Sequence, residues 1–330
     1  MTEVAHGSSG FASVNGGRLL TSRPYAGGAD LPAIVALIAA CEAVDKLDRG
    51  TSIEEMRVAL AAPGGDPARD LSLWEDDDGQ LLGLGRLILT PDNADIEGRF
   101  WFHIHPAARG AALEGRIIAW GEGRAREAGR ERSQVARLLT FARADKAARI
   151  ATLGAHGFER VRYFYTMARP LTSALPAPRV PVGFVVRPLR GMEEAADYVA
   201  LENEAFREHW NYHEETVDDL ARTLSAPTYR SDLDLVCVAA DGHFAAYCQC
   251  EITSSAKSGF VHGLGTRPAY RGRGLGRAML LAGLRALQRA GMEAADISVD
   301  ADNLSGALRL YESAGFRTYE TWIAFVKHVS

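Results

Sequence analysis

Cysteine is scarce in this chain. Four cysteines (Cys41, Cys237, Cys248, Cys250) among 330 residues, with no Cys-x-x-Cys spacing, exclude a disulfide framework and a zinc ribbon. Long apolar runs are also missing: the most apolar region, Leu31 to Cys41, falls far short of the roughly 18 residues a membrane span needs. No excess of basic charge is present either, since the formal net charge is −5. The chain therefore lacks the positive field that would recruit nucleic acid or an anionic membrane. Met1 to Gly17 is rich in Gly, Ser and Ala, lacks the basic start and apolar stretch of a secretory signal, and reads as a flexible leader. The expectation is a cytoplasmic protein with no nucleic-acid or membrane partner.

What is present is a globular composition, 47% hydrophobic and 24% charged, on a chain whose length suits two domains. Pro170, Pro176, Pro178 and Pro181 cluster between Arg169 and Phe184. Proline fixes φ and lacks an N–H, so this stretch suits neither a helix nor a central strand. It reads as a linker over residues 170–182, between domains at 18–169 and 183–330. The same landmarks recur on either side, in the same order. Arg23-Pro24 matches Arg187-Pro188, and Asp70-Leu-Ser-Leu73 matches Asp232-Leu-Asp-Leu235. Pro106-Ala-Ala-Arg109-Gly110 matches Pro268-Ala-Tyr-Arg271-Gly272, and Ala155-His-Gly157-Phe158 matches Ser313-Ala-Gly315-Phe316. The chain is a duplication.

In the second copy, strand patterns at Leu233–Ala239 and Phe244–Thr253 flank an Asp241-Gly242 turn, a hairpin signal. A third strand, Phe260–Thr266, leads into Arg271-Gly272-Arg273-Gly274-Leu275-Gly276-Arg277 and then a helix with Leu280, Leu284 and Leu287 on one face. Alternation of this kind implies a mixed α/β sheet. The glycine-rich loop suits anion capture: glycines let the backbone approach a phosphate, helix N-terminal N–H groups face it, and the arginines add charge. A Rossmann-type turn is the alternative, but its third glycine is missing at the proper spacing and too little chain follows.

Arg271, Gly274 and Gly276 fill the pattern Arg/Gln-x-x-Gly-x-Gly/Ala, and with Leu264-Gly265-Thr266 before it and Leu310-Tyr311-Glu-Ser-Ala-Gly315-Phe316 after it the second half resembles the GNAT superfamily of acetyltransferases. The tandem arrangement is similar to that of the mycothiol synthases, although Phe260 stands where those enzymes carry an acidic residue. The resemblance implies two tandem GNAT folds and acetyl transfer from acetyl-CoA to the primary amine of a small molecule, with no metal. It implies that Leu264, Gly265 and Thr266 run beside the pantetheine and that the loop 271–277 takes the diphosphate. It also implies that Asn303 touches the cofactor and that Tyr311 protonates the departing thiolate. Retention of Tyr311 favours an enzyme over a non-catalytic acyl-CoA sensor.

A lysine-like amine with a pKa of about 10.4 needs roughly 4.6 kcal/mol to lose its proton at neutral pH and calls for a general base, whereas for an α-amine of pKa about 8 the cost is only about 1 kcal/mol and water can serve. Glu251 and His262, on neighbouring strands, are the candidates. His209, Trp210 and Tyr212 cluster after the first helix, which forms one wall of the acceptor pocket in the GNAT fold, and are assigned to substrate. Asn303 also reads as the cap of the helix that carries Tyr311. His103 with His105, His209 with His213, and Cys248 with Cys250 are read as structural residues rather than metal pairs. The first copy has Ala112 and Glu114 in place of Gly274 and Gly276, and Leu153 in place of Tyr311, so it is expected to be degenerate.

Overall fold

A computed structural model describes residues 13–15, 18–46, 50–61, 65–91, 95–110, 112–226, 228–252, 257–303 and 306–329. The leader expected over 1–17 lies outside these residues except for Ser13–Asn15, a short strand paired with Arg18–Leu20. Two compact units are present, Met1–Val161 with Ile323–Ser330, and Arg162–Trp322.

In chain order the elements are β1 Ser13–Asn15, β2 Arg18–Pro24, α1 Leu31–Asp45, α2 Ile53–Ala61, α3 Pro67–Asp70, β3 Leu71–Glu75, β4 Leu81–Pro91, β5 Asp95–Ile104, α4 Leu113–Arg132, β6 Val135–Arg143, α5 Ala147–Ala155 and β7 Glu159–Pro170. There follow β8 Phe184–Pro188, α6 Ala195–Phe206, α7 Val217–Ser225, β9 Asp234–Ala239, β10 Phe244–Ile252, β11 Ser258–Thr266, α8 Leu275–Arg289, β12 Ala294–Asp300, α9 Ala307–Ser313 and β13 Arg317–Val329. Each unit repeats one plan, an antiparallel meander followed by a parallel pair joined through a helix. In the first unit the strand order is β1-β2-β3-β4-β5-β6, with the end of β13 beside β6. In the second it is β8-β9-β10-β11-β12, with β7 beside β12. The mixed α/β class is as the alternation implies.

The exchange of final strands shifts the boundaries from those expected. β7 follows the first copy's last helix, yet its residues from Phe164 to Pro170 pair with β12, Met167 opposite Ile297 and Arg169 opposite Ala295. Ile323, Phe325 and Val329 return to the core of the first unit. The proline-rich stretch is also more than a spacer. Leu171 and Leu175 are buried in the second unit's core, and the Leu171 N–H donates to the Glu293 carbonyl at 2.7 Å.

That core lies between the sheet and α8. Leu275, Leu280, Leu284 and Leu287 are all buried there, each worth about 1.5–3 kcal/mol relative to exposure. Gly283 lets α8 approach β10, because a Cβ there would come 2.5 Å from Cys248 Sγ and 3.0 Å from Cys250 Sγ. The two thiols are buried packing groups, as expected. On the opposite face of the sheet, α6 and α7 cover Tyr247, Val236 and Phe244.

Candidate active site

The site forms where two parallel strands part. β11 and β12 pair in register from Ser258 with Ala294 to Val261 with Ile297, and no further. Just past that point β10 advances one residue, Gln249 to Cys250, while β11 moves two, Gly263 to Val261, which leaves His262 as the extra residue of a β-bulge. The bulge reverses which side chains face which layer. Val261 packs into the core with α8, whereas Gly263 and Gly265 both face Tyr247, on the α6 side. A Cβ at Gly265 would sit 2.5 Å from the Tyr247 ring, so only glycine permits this approach.

Beyond the bulge, β11 pairs with β10 alone, Gly265 opposite Tyr247 and Leu264 opposite Cys248. The Arg267 N–H donates to the Ala245 carbonyl at 3.0 Å. In an antiparallel ladder alternate residues turn their backbone groups to the same neighbour, so Gly265 also faces β10. The N–H and C=O of Leu264 and Thr266 therefore point into the gap. A cavity of about 610 Å³ fills this gap, lined by β11, β12, the glycine loop, α9 and the end of α6.

At one end of the cavity the loop turns through Gly272 (φ 77°) and Gly274 (φ 81°) into α8. Both are left-handed conformations that favour glycine. The first backbone bond of the helix runs from Ala278 N–H to the Gly274 carbonyl, which leaves the N–H groups of Leu275, Gly276 and Arg277 without a partner inside the helix. An anion fits there. The arginines are docked onto protein rather than aimed at the loop. Arg271 donates to the carbonyls of Thr266 (3.3 Å) and Ala205 (3.1 Å) and pairs with Glu208 at 3.2 Å, so it braces the loop against β11 and α6. Arg273 donates to the Ala269 carbonyl at 3.4 Å and does not line the cavity. Arg277 lines the cavity and donates to Ser313 Oγ at 2.7 Å.

Tyr311 projects from α9 into the cavity wall and is 6% exposed. Burial pushes the phenol pKa up, with Cys248 adding to the shift, so the hydroxyl keeps its proton at neutral pH. His262 also lines the cavity, with Glu251 Oε1 3.5 Å from its Nδ1. Glu251 lies behind the histidine. Beneath the strand, the Tyr247 hydroxyl donates to Glu202 at 3.1 Å, and burial raises the Glu202 pKa.

Leu264, Gly265, Thr266, Arg271, Gly272, Gly274, Leu275, Gly276, Arg277, Asn303, His209, Trp210, His262 and Tyr311 all line this one cavity; Arg273, Tyr212 and Glu251 do not. The Tyr212 hydroxyl instead donates to Asn203 at 3.0 Å and ties the segment back onto α6. Asn303 is no helix cap: α9 begins at Ala307 with Gly306 at the cap position, and the Asn303 N–H closes a turn onto the Asp300 carbonyl. Its amide nitrogen lies 3.3 Å from His209 Nε2, which joins the two sides of the cavity mouth. Arg162 and Phe164 line the cavity without having been expected there. Arg162 bonds Asp300 at 3.0 Å, and Phe164 lies 5.8 Å from the Trp210 ring. Both precede the proline-rich stretch, and nothing in the sequence signals that their strand joins the second sheet.

The profile of the acetyltransferase (GNAT) family matches residues 196–316, which include every residue lining this cavity except Arg162 and Phe164. A mycothiol acetyltransferase of Kineococcus radiotolerans is 32% identical over 294 residues, covering 88% of this chain and 91% of that protein. The chain belongs to the GNAT acetyltransferases. Among solved structures, a GCN5-related N-acetyltransferase from Sphaerobacter thermophilus has a TM-score of 0.78 at 25% identity, covering 94% of this chain and 96% of that one. A tandem GNAT protein from the clavulanic acid biosynthesis pathway has a TM-score of 0.71 at 20% identity, covering 94% and 99%, and shares the fold. The protein is thus an acyltransferase of tandem GNAT fold, in a family that binds acyl-CoA. No helix among the described residues is long and apolar enough to cross a membrane.

Proposed function

We propose that this acetyltransferase moves the acetyl group of acetyl-CoA to a primary amine of a small molecule, at the cavity described in the second unit. The observation that carries the reading is the convergence, in one cavity, of the anion-binding loop, an unpaired strand edge and Tyr311. The loop 272–277 would take the diphosphate, and the backbone groups of Leu264 together with the Thr266 N–H would pair with the amide-bearing arm, the Thr266 carbonyl being held by Arg271. An N–H at that edge aimed at the developing oxyanion is worth about 3 kcal/mol in acyl transfer. The amine attacks the thioester carbon directly. As the C–N bond forms and the C–S bond breaks, the amine's proton passes to His262, oriented by Glu251, and the thiolate takes the Tyr311 proton. The reaction would run in the cytoplasm without a metal.

The acceptor enters beside His209 and Trp210. The relative's name makes the amine acted on by a mycothiol acetyltransferase the first acceptor to test, and Phe260 in this chain makes a different small amine the second. Incubation with acetyl-CoA and a panel of amines, with free thiol as the readout, is expected to give amine-dependent CoA release. Tight acetyl-CoA binding with no release for any amine would instead favour a sensor, and faster release from a longer acyl-CoA would change the donor.

A further inference from the structure

Two arginines meet at the turn that ends α9. Arg277 Nη1 donates to Ser313 Oγ at 2.7 Å. Arg169, on β7, lies against Gly315, where a Cβ would come 3.3 Å from its Nη1. Neither guanidinium has a carboxylate partner among the described residues: Arg277 has the serine hydroxyl, and Arg169 has neither a hydrogen bond nor an ion pair. Burial lowers the Arg169 pKa, and the Arg277 charge lowers it further. Two like charges are held together here with no counter-ion between them.

The first unit provides an internal control. Gly157 follows α5 as Gly315 follows α9, with φ of 78° and 94°. Lys327 lies against Gly157, its Cε 3.7 Å from where a Cβ would stand, in the place that Arg169 takes against Gly315. That lysine is neutralised within its own unit by Glu122 at 2.5 Å and also donates to the His156 carbonyl at 2.7 Å. The register that matches Pro106 to Pro268 puts Leu284 at the position of Glu122 and Arg277 at that of Gly115. In the second unit, then, the balancing acid is gone and a second cation has been added. Such a pair suits a ligand that brings its own negative charge.

Arg277 also lines the cavity, directly after the N–H groups that begin α8. We propose that Arg169, Arg277 and Ser313 form a subsite for the phosphate monoester of the coenzyme, the 3′-phosphate on its adenosine ribose. This rests on the acyl-CoA reading. With the diphosphate on the loop, the nucleotide end would lie by the first turn of α8, which carries Arg277, and Arg169 faces, at Gly315, the turn that Arg277 reaches at Ser313.

Calorimetric titration of the full chain with CoA and with 3′-dephospho-CoA tests the assignment. The wild type is expected to bind CoA at least tenfold more tightly. Arg169→Gln should lose about tenfold for CoA and stay within twofold for dephospho-CoA, and Arg169→Lys should recover part of the difference. Equal affinities in the wild type, or an equal loss for both ligands in an Arg169→Gln protein that melts like the wild type, would overturn the subsite. A variant that melts early is replaced by Arg277→Gln, for which the same selective loss is expected and an equal loss counts against the assignment. If the wild type binds neither ligand, the acyl-CoA reading itself fails.

Discussion

The two clefts of this chain start from one backbone plan and end in opposite states. In the first unit β5 and β6 also pair in parallel, from Asp95 with Val135 to Arg99 with Leu139, and then part. There Arg149 of α5 stitches the gap, its Nε donating to the Phe141 carbonyl and its Nη1 to the Phe102 carbonyl, both at 3.3 Å. Its guanidinium also lies 3.9 Å from the Phe102 ring centroid. Burial pushes the Arg149 pKa down to about 10, so it still closes the gap as a cation at neutral pH. The register that matches Gly157 to Gly315 puts Ala307 at this position in the second unit, and Ala307 lines the open cavity. The loops differ in the same sense. Glu114 accepts the Gly110 N–H at 2.8 Å, so the first loop carries its own carboxylate where the second leaves N–H groups free. β5 pairs with β4 without a bulge, whereas β11 carries one at His262. The difference shows that a fold can outlast its ligand site when side chains of the protein take over the bonds the ligand made.

The contrast can be tested by moving features between the units, from the largest effect to the smallest. Gly276→Glu places in the second loop the carboxylate that Glu114 supplies to the first, and acetyl-CoA affinity should fall at least 100-fold by calorimetry. A Cβ there meets only ordinary contacts, 3.6 Å to Leu310 and Thr266, so Gly276→Ala should stay within about fivefold and show that charge rather than bulk is responsible. Tyr311→Phe should lower kcat about 100-fold, within the usual range for a lost general acid, and leave acetyl-CoA affinity within twofold. Unchanged kcat would give the second cleft no more proton-transfer capacity than the first, where Leu153 stands.

Arg149→Ala should leave turnover within twofold while costing about 2–4 kcal/mol of stability, because it strips two part-buried carbonyls of their donor. A comparable loss of kcat in this variant would make the first cleft part of the catalytic site. The smallest effect concerns pH. Asp234 is fully buried, accepts from the Tyr198 and Tyr229 hydroxyls at 3.2 Å, and has its pKa pushed up to about 6 by desolvation. The unfolded chain releases this proton near pH 4 and the folded chain near pH 6, so the folded state holds more protons in between. Stability should therefore fall as pH rises through that window, by about 3 kcal/mol at most for a shift near two units. Asp234→Asn should flatten the fall in denaturant melts. The first copy has Ser72 at this position, whose hydroxyl donates to the Arg23 carbonyl and does not titrate in this range.

The parts of the site that could be read from sequence are those where backbone chemistry restricts residue choice. A loop that must turn through φ near 80° twice and leave N–H groups free needs glycines at fixed spacing, so Gly272, Gly274 and the start of α8 were legible. The Asp241-Gly242 hairpin and the helix bearing Tyr311 were legible for similar local reasons. What tertiary pairing decides was not. The bulge at His262 arises from the register of β11 against β10, which no local pattern around His262 specifies. Arg162 and Phe164 reach the cavity through an exchanged strand. Arginine is long and has many rotamers, so sequence could place Arg271 and Arg273 beside the loop but could not show that they dock onto Thr266, Ala205 and Ala269. Tyr212 was assigned to substrate from its neighbours, and a single bond to Asn203 turns it away.

The central claim is one acyl-CoA site per chain, in the second unit, and binding stoichiometry tests it most directly. Acetyl-CoA titrated into the intact chain should saturate at one molecule per chain. In Gly274→Glu, where a carboxylate enters the loop at φ 81°, the binding heat should vanish. Two molecules bound per wild-type chain, or one still bound by Gly274→Glu and lost only on mutating Arg109 in the first loop, would contradict the account.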